Sequence, residues 1–136
     1  MSKVIIFGLL DTAELAYYYL LNDSEHDVVA FTVHDKYIKC SQFKGLPVVP
    51  FEGIENRFPP SEFYLFAPMT GKVMNHLREK IYNAGKHKGY NFITYISSKA
   101  TWFDNEIGEN CFILEDNTIQ PFTKIGDNVI LWSGNH

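Results

Sequence analysis

The chain has 136 residues, of which 46% are hydrophobic and 21% are charged, and its net charge is -4. This length fits one domain, or one small domain with an appendage, and the composition is typical of a soluble globular protein. The mildly acidic charge and the lack of a Lys/Arg cluster argue against a nucleic-acid partner. No secretion signal or membrane-spanning apolar segment is recognisable, so the sequence predicts a cytoplasmic protein without a membrane partner.

The first thirty residues have the pattern of a strand, a helix and a second strand. Residues 3–8 form an apolar run that ends in Gly8, which is typical of a strand buried on both faces. Asp11 and Thr12 then offer side-chain oxygens to cap a helix, and residues 27–32 form the next apolar run. A βαβ unit predicts a parallel sheet with a right-handed crossover.

The middle of the chain is expected to extend this sheet. Residues 45–50 contain two prolines, which confine the segment to a sheet edge or a loop. Residues 63–67 predict another buried strand, followed by a helix that opens at Thr70 or Gly71 and runs to about Ala84. Residues 91–94 are expected to close the sheet.

The last part of the chain changes to a period of six. Aliphatic residues recur at Ile107, Ile113, Ile119, Ile125 and Leu131, and compact residues follow four positions later at Cys111, Asn117, Thr123, Val129 and Asn135. Neither a helix nor a strand has this period, whereas a β-helix does, with one short strand and one corner in each hexad. The aliphatic residues are expected to point into the coil, and the compact residues to fit a tight corner. Chance spacing in a loop-rich tail is the alternative.

Ile96, Ala100 and Trp102 fit the same repeat, but the step from Trp102 to Ile107 is five, so one residue is missing from the first turn. The predicted fold class is α/β, with a small Rossmann-like parallel-sheet domain at residues 1–95 and the first coils of a left-handed parallel β-helix at residues 96–136. Three hexads make one triangular coil of about eighteen residues. Because the repeat runs to His136 without a cap, the sequence predicts a chain cut short within its repeat array.

This succession of elements resembles the hexapeptide-repeat sugar O- and N-acyltransferases of the sialic-acid O-acetyltransferase type. The features that match, in chain order, are residues 4–8 with residues 11–15, residues 29–31 leading to Asp35, residues 45–48, the strand from Phe63 with its helix, and the hexads from Ile107. Each motif is weak alone, but their order is specific and covers the whole chain. The resemblance implies a homotrimeric enzyme of surface-glycan biosynthesis, which transfers an acetyl group from acetyl-CoA to a nucleotide-linked sugar.

The resemblance also implies where the nucleotide-sugar binds, namely at the carboxyl ends of the parallel strands, where a helix N-terminus attracts phosphate. Carried over to this sequence, the substrate-binding positions are Gly8, Leu9, Leu10, Asp11, Thr12, His34, Asp35, Ala67, Pro68, Met69, Thr70 and Lys72. Asp35 is expected to accept hydrogen bonds from ribose hydroxyls or a base N–H, and Lys72 to neutralise phosphate. Leu9, Leu10 and Asp11 replace the glycines of a dinucleotide fingerprint, which argues against NAD. An interpretation of this loop as a structural turn alone stays open.

The catalytic base implied by the resemblance is a histidine on the β-helix, because imidazole titrates near neutrality. His136 is the candidate, since it is the only histidine on the repeat surface, although related sequences more often place the base a few residues further on. The spacing of histidines and cysteines predicts no metal site. The alternative function is a non-catalytic nucleotide-sugar-binding or regulatory module.

Overall fold

The computed structural model of the chain describes residues 2–69 and 72–133, with the main chain but not the side chains of residues 72–75. The helices are α1 (Asp11–Asn22), α2 (Ile54–Arg57) and α3 (Lys72–His87), and a 3-10 turn spans Asp35–Tyr37. The strands are β1 (Lys3–Phe7), β2 (Asp27–Val33), β3 (Gln42–Phe43), β4 (Leu46–Pro50), β5 (Phe63–Phe66), β6 (Tyr95–Ile96), β7 (Phe112–Ile113) and β8 (Ile130–Leu131). Within these ranges no helix has both the length and the apolar character needed to cross a membrane.

The N-terminal sheet has five strands in the order β3-β4-β2-β1-β5. β1 pairs in parallel with β2 and β5, and β2 pairs in parallel with β4, so the predicted βαβ arrangement is confirmed. The chain builds outward from β1 through β2 and β4, and then returns to the other side of β1 with β5. Parallel α/β sheets bind ligands at such a reversal, at the carboxyl ends of the two strands, here β1 and β5, and we call this region the crevice.

The edges of this sheet differ from the sequence expectations. The proline-containing β4 is an inner strand, because β3 pairs with it in an antiparallel hairpin and covers its outer side. Lys44 and Gly45 connect the two strands and both have positive φ, which matches the right-handed twist of a two-residue hairpin turn. At the opposite edge, the segment expected to close the sheet contributes one parallel bridge, between Phe92 and Leu65 of β5.

The start of α1 and the end of α3 differ from the sequence expectations. α1 starts at Asp11, and its N-cap is Leu10, which makes no side-chain capping bond. Asp11 is therefore not the cap but an acidic residue of the first turn, where the helix dipole favours negative charge. α3 starts at Lys72 and ends at His87, three residues beyond the predicted Ala84.

In the second sheet, paired residues are separated in sequence by the length of one coil. Tyr95 of β6 pairs with Phe112 of β7, seventeen positions later, and Phe112 pairs with Ile130 of β8, eighteen positions later. Isolated parallel bridges show the same two spacings on the other faces, Thr101 with Thr118 and Ile107 with Ile125. A parallel β-helix with an eighteen-residue coil, and with one residue missing from its first turn, is therefore confirmed.

The corners of the coil have a distinct backbone conformation. Non-glycine residues with positive φ recur at every sixth position, at Asp104, Asn110, Asp116, Phe122 and Asn128. Asn and Asp enter this left-handed region more readily than other L-residues, which accounts for four of the five. The compact residue of each hexad comes directly after the corner, and Cys111 and Asn117 are buried inside the coil. For these two residues the coil interior limits the size of the side chain, whereas Thr123 of the same series is exposed.

The sheet domain and the β-helix share one hydrophobic core. Phe112 projects outward from the coil, is fully buried, and packs against Phe66 of β5 and Tyr19 of α1, with ring centroids 5.6 and 6.0 Å away. The inward-facing aliphatic residues form a separate cluster around Ile113 and Ile119, as the hexad pattern predicts. The predicted division between residues 1–95 and 96–136 falls inside β6, and the shared core joins the two parts.

Candidate functional site

The candidate crevice lies where β1 and β5 end. Ile6 of β1 pairs with Phe66 of β5, which places Gly8 and the residues after it beside the loop that starts at Ala67. Gly8 has a φ of 125°, and its N–H donates to the carbonyl of Thr32 at 2.9 Å. This backbone conformation strongly favours glycine, so Gly8 fixes the tight turn from β1 into α1.

The start of α1 is acidic and partly apolar. Asp11 and Glu14 both occupy the first turn, and Asp11 is exposed. Leu10 is 72% exposed, whereas Leu9 packs against the core and Thr12 is half-buried. Because carboxylates repel phosphate, this helix start suits a neutral or cationic group better than a dianion.

His34 and Asp35, at the end of β2, lie beside a carboxylate that the sequence analysis did not single out. Glu52 accepts a hydrogen bond from the Asp35 N–H at 3.0 Å, and its other oxygen lies 3.5 Å from Nδ1 of His34. The bond from the Asp35 N–H holds the pKa of the Glu52 carboxyl below its ordinary value. The His34 ring packs edge-on against Phe7 and Phe51. Glu52 lies just beyond the carboxyl end of β4, which is a parallel strand next to β2. This position is the sequence signal that would have identified Glu52 as a candidate.

The loop after β5 is fixed to the β-helix. The Ala67 N–H donates to Oδ1 of Asn110 at 2.8 Å, and Nδ2 of Asn110 donates to the Ala67 carbonyl at 3.2 Å. The Arg78 guanidinium of α3 donates to the carbonyl of Met69. Ala67, Pro68 and Met69 are all buried. Neither Asn110 nor Arg78 was predicted from the sequence, because each lies far along the chain from the loop that it holds.

Three of the predicted residues cannot be placed in this crevice. Thr70 and His136 lie outside the described residues, and Lys72 is described only by its main chain, which begins α3. Their roles in phosphate binding and proton transfer stay predictions. The described part of the crevice brings together the loop after β1, the end of β2 with Glu52, and the loop after β5.

Tyrosine–carboxylate hydrogen bonds join α1 to the coil. The Tyr19 hydroxyl donates to Glu115 at 2.8 Å, and the Tyr95 hydroxyl donates to Asp23 at 2.6 Å. The Ser98 N–H donates to the same Asp23 oxygen at 2.9 Å. The bond from Ser98, followed by that from Tyr95, lowers the pKa of Asp23, while burial and the Glu115 carboxylate raise the pKa of Tyr19 to about 12.

These two shifts predict how stability depends on pH. Asp23 has a lowered pKa in the folded state, so its contribution is present above its unfolded pKa of about 3.9 and is lost as the pH falls further. The contribution of Tyr19 is present below its unfolded pKa of about 10 and is lost as the pH rises towards 12. Urea unfolding of the wild type and Asp23→Asn should give a difference in unfolding free energy at pH 7 that shrinks at pH 3. An equal difference at both pH values would contradict the Asp23 assignment.

Phe122 breaks the Asn/Asp pattern of the corners. It has a φ of 69°, and its side chain is fully exposed. A left-handed conformation costs most L-residues about 1–2 kcal/mol, and no burial offsets that cost here.

We therefore expect Phe122→Asn to raise the unfolding free energy by about 1 kcal/mol, since asparagine tolerates this conformation better. Urea titration at pH 7 measures the change. Phe103→Asn is the control, because Phe103 is also exposed but is not among the residues with positive φ. Equal effects of the two substitutions would contradict the explanation.

Two shallow depressions lie on the surface of the helices. One, of about 410 Å³, lies beside α1 and is lined by Asp11 and Glu14 together with Tyr18 and Lys44, and the other, of about 420 Å³, lies beside α3, near His76 and Lys80. Neither is lined by Ala67, Pro68 or Met69. Among the described residues, no three His, Cys, Asp or Glu side chains form a group that could hold a metal ion.

Comparison with known proteins agrees with this architecture. Residues 106–136 match the family described as bacterial transferase hexapeptide (six repeats). No curated protein shows significant sequence similarity to the chain.

Solved structures show the same fold over nearly the whole chain. PerB from Caulobacter crescentus, in complex with CoA and GDP-perosamine, aligns with a TM-score of 0.76 at 20% identity, covering 98% of this chain and 61% of that one. The acetyltransferase domain of PglB from Neisseria gonorrhoeae, in complex with acetyl coenzyme A, aligns with a TM-score of 0.73 at 19% identity, covering 94% of this chain and 60% of that one. The chain thus spans about 60% of the length of the structures it matches. These alignments confirm the predicted combination of a parallel-sheet domain and a β-helix.

Proposed function

We propose that this chain supplies the sugar-nucleotide-binding part of an acetyl-CoA-dependent acyltransferase whose acceptor is a nucleotide-linked amino sugar. The observation that carries the proposal is the reversal of strand order at β1 and β5, with the loop after β5 bonded to a hexapeptide β-helix. The same two parts occur in fold relatives that were solved with CoA and GDP-perosamine, or with acetyl coenzyme A. A homotrimer, a cytoplasmic location and a role in surface-glycan biosynthesis belong to the same proposal.

The polar groups of the crevice suit the uncharged parts of a sugar nucleotide. Glu52 is held in its ionised form, and Asp35 is exposed beside it, so both offer carboxylate acceptors to ribose hydroxyls or base N–H groups. The His34 ring is partly exposed and is fixed by Phe7 and Phe51, which gives the same edge an apolar surface.

The acid at the start of α1 supports an amino sugar as the acceptor. Asp11 lies exposed in the first turn, where its carboxylate attracts an ammonium group and repels an additional phosphate, whereas Glu14 of the same turn is ion-paired with Lys44. For N-acetyl transfer, the sugar amine must lose a proton before or during its attack on the thioester carbonyl. The C–N bond then forms, the C–S bond breaks, and CoA leaves as its thiol.

A histidine on the β-helix is the proposed base for that proton, and His136 is the candidate within this chain. Main-chain N–H groups of a neighbouring coil would stabilise the oxyanion of the thioester carbon. Because the chain spans about 60% of the length of these fold relatives, we expect it to bind the nucleotide-sugar with little turnover. Acetyl transfer by this chain alone would contradict that expectation.

Calorimetric titration tests the binding step. GDP-, UDP- and dTDP-linked sugars are the probes, NAD is the competing ligand, and Asp35→Asn with Glu52→Gln is the site variant. We expect one class of nucleotide-sugar to bind the wild type and to bind the variant more weakly. Release of CoA thiol from acetyl-CoA, measured on a version with further hexads, tests the transfer. Tight binding of NAD, with no binding of any nucleotide-sugar, would overturn the proposal.

A further inference from the structure

We propose that Asn110 is a positioning residue that fixes the crevice loop, residues 67–69, to a corner of the β-helix and thereby sets the shape of the sugar-nucleotide crevice. This inference rests on the proposed function, because it assigns a role in binding to a residue outside the crevice itself. Asn110 is not expected to touch the ligand. It acts through Ala67.

At the end of β5, the Asn110 side chain forms hydrogen bonds with the main chain as a neighbouring strand would. Its amide accepts from the Ala67 N–H at 2.8 Å and donates to the Ala67 carbonyl at 3.2 Å, so it pairs with the main chain on both sides of one residue. Asn110 is 1% exposed and Ala67 is 0% exposed. Loss of a hydrogen-bond partner by a buried main-chain group is costly, so these bonds hold the loop in one place.

The contact continues to the next coil and to α3. Nδ2 of Asn110 also donates to Oδ1 of Asn128 at 2.9 Å, and Asn128 occupies the same corner one coil later. Arg78 donates to the carbonyls of both Asn128 and Met69. Asn110, Asn128, Arg78 and the crevice loop therefore form a closed ring of hydrogen bonds, which we call the loop clamp.

The loop clamp determines what the crevice loop can offer a ligand. The Ala67 N–H is already bonded to Asn110, and Pro68 has no N–H. Neither residue can bind a phosphate through its main-chain N–H, so this part of the loop acts by its position and shape. Any movement of Ala67 would change the width of the crevice at the end of β1, because Ile6 and Phe66 are paired directly below it.

Asn117 provides a control for the loss of a buried asparagine amide. It is also a buried asparagine of the coil, 2% exposed, and its Nδ2 donates to the carbonyls of Leu114, Leu131 and Trp132. All of these partners belong to the β-helix. Loss of its side chain should therefore lower stability without moving the crevice loop.

The experiment compares the wild type with Asn110→Ala, Asn110→Asp and Asn117→Ala in the full chain. Hydrogen exchange reports on residues 66–69, and calorimetry with GDP-mannose and UDP-N-acetylglucosamine reports on binding. We expect Asn110→Ala to speed hydrogen exchange in the crevice loop and to raise the Kd of the probe roughly tenfold, in line with the loss of a buried hydrogen-bond partner. Asn110→Asp keeps an acceptor for the Ala67 N–H, so its effects should be smaller. Asn117→Ala should leave both readouts within about twofold of the wild type.

The two proposals fail in different ways. Unchanged exchange at residues 66–69 in folded Asn110→Ala, or in Asn110→Asp if the alanine variant does not fold, overturns the loop clamp whether or not a probe binds. An equal rise in the Kd of the probe in Asn117→Ala also overturns the loop clamp, because general destabilisation would then explain the weaker binding. If the wild type binds neither probe nor a dTDP-linked sugar, while exchange in the loop responds as expected, the proposed function fails and the loop clamp stands.

Discussion

Replacing Phe112 with alanine is expected to lower the unfolding free energy by about 3–5 kcal/mol, which is the usual cost of removing a buried phenylalanine. The Phe112 ring lies where the β-helix meets the sheet domain, and it contacts Tyr19, Phe66 and Tyr95. Because a domain of this size has only about 5–15 kcal/mol of stability, the loss should be visible as a large shift in a urea titration.

The matched control is Phe122→Ala, which removes the same atoms from a fully exposed position and should change stability little. The shared core also predicts a single unfolding transition, since α1, β5 and the coil lose the same contacts together. Two separate transitions in the wild type, or similar effects of the two alanine substitutions, would contradict this description of the core.

Gly108→Ala should also destabilise the chain, by about 3 kcal/mol, because an added methyl has no space. A Cβ at this position would lie 2.3 Å from Oδ1 of Asp127, 2.7 Å from the Asp127 nitrogen and 2.7 Å from the carbonyl carbon of Gly126. The Asp127 side chain is itself held by the Glu109 N–H at 2.8 Å. The coil would have to move apart at this face, and thermal unfolding measures the result.

Gly126→Ala is the internal comparison for this prediction. Gly126 occupies the same position one coil later, and an added Cβ there meets nothing within 4 Å. We expect its effect to be within about 0.5 kcal/mol of zero. If the two glycine variants unfold at the same temperature, the packing of successive coils is not as described.

The β-helix was predictable from the sequence because its period is set by local geometry. Every sixth residue must fill the coil interior, so Ile107, Ile113 and Ile119 keep the same spacing whatever the rest of the chain does. Even the short first turn was readable from the five-residue step between Trp102 and Ile107. The corner residues carried a second signal, since Asn or Asp stands at four of the five positions with positive φ.

The contacts between the two parts were not predictable in this way. Asn110 and Ala67 are 43 positions apart, and Arg78 and Asn128 are 50 apart, so no local pattern links them. To predict that Glu52 lies at the site, one would have to know which strands are neighbours in the sheet. The expected N-cap at Asp11 was wrong because Leu10, which makes no side-chain capping bond, occupies that position. The sequence thus indicated the crevice through its strand ends, but not the residues that hold its shape.

The stacking of successive coils has a consequence for how such a chain changes over time. Each coil places its inward side chains directly above those of the coil before it, as the pairs Ile113–Leu131 and Ile107–Ile125 show. A single inserted residue within a face would turn every later aliphatic side chain out of phase, whereas duplication of a complete eighteen-residue unit would preserve all of them. Lineages of this protein should therefore differ by whole turns, or by loops extruded at the vertices, rather than by small insertions within the flat sides.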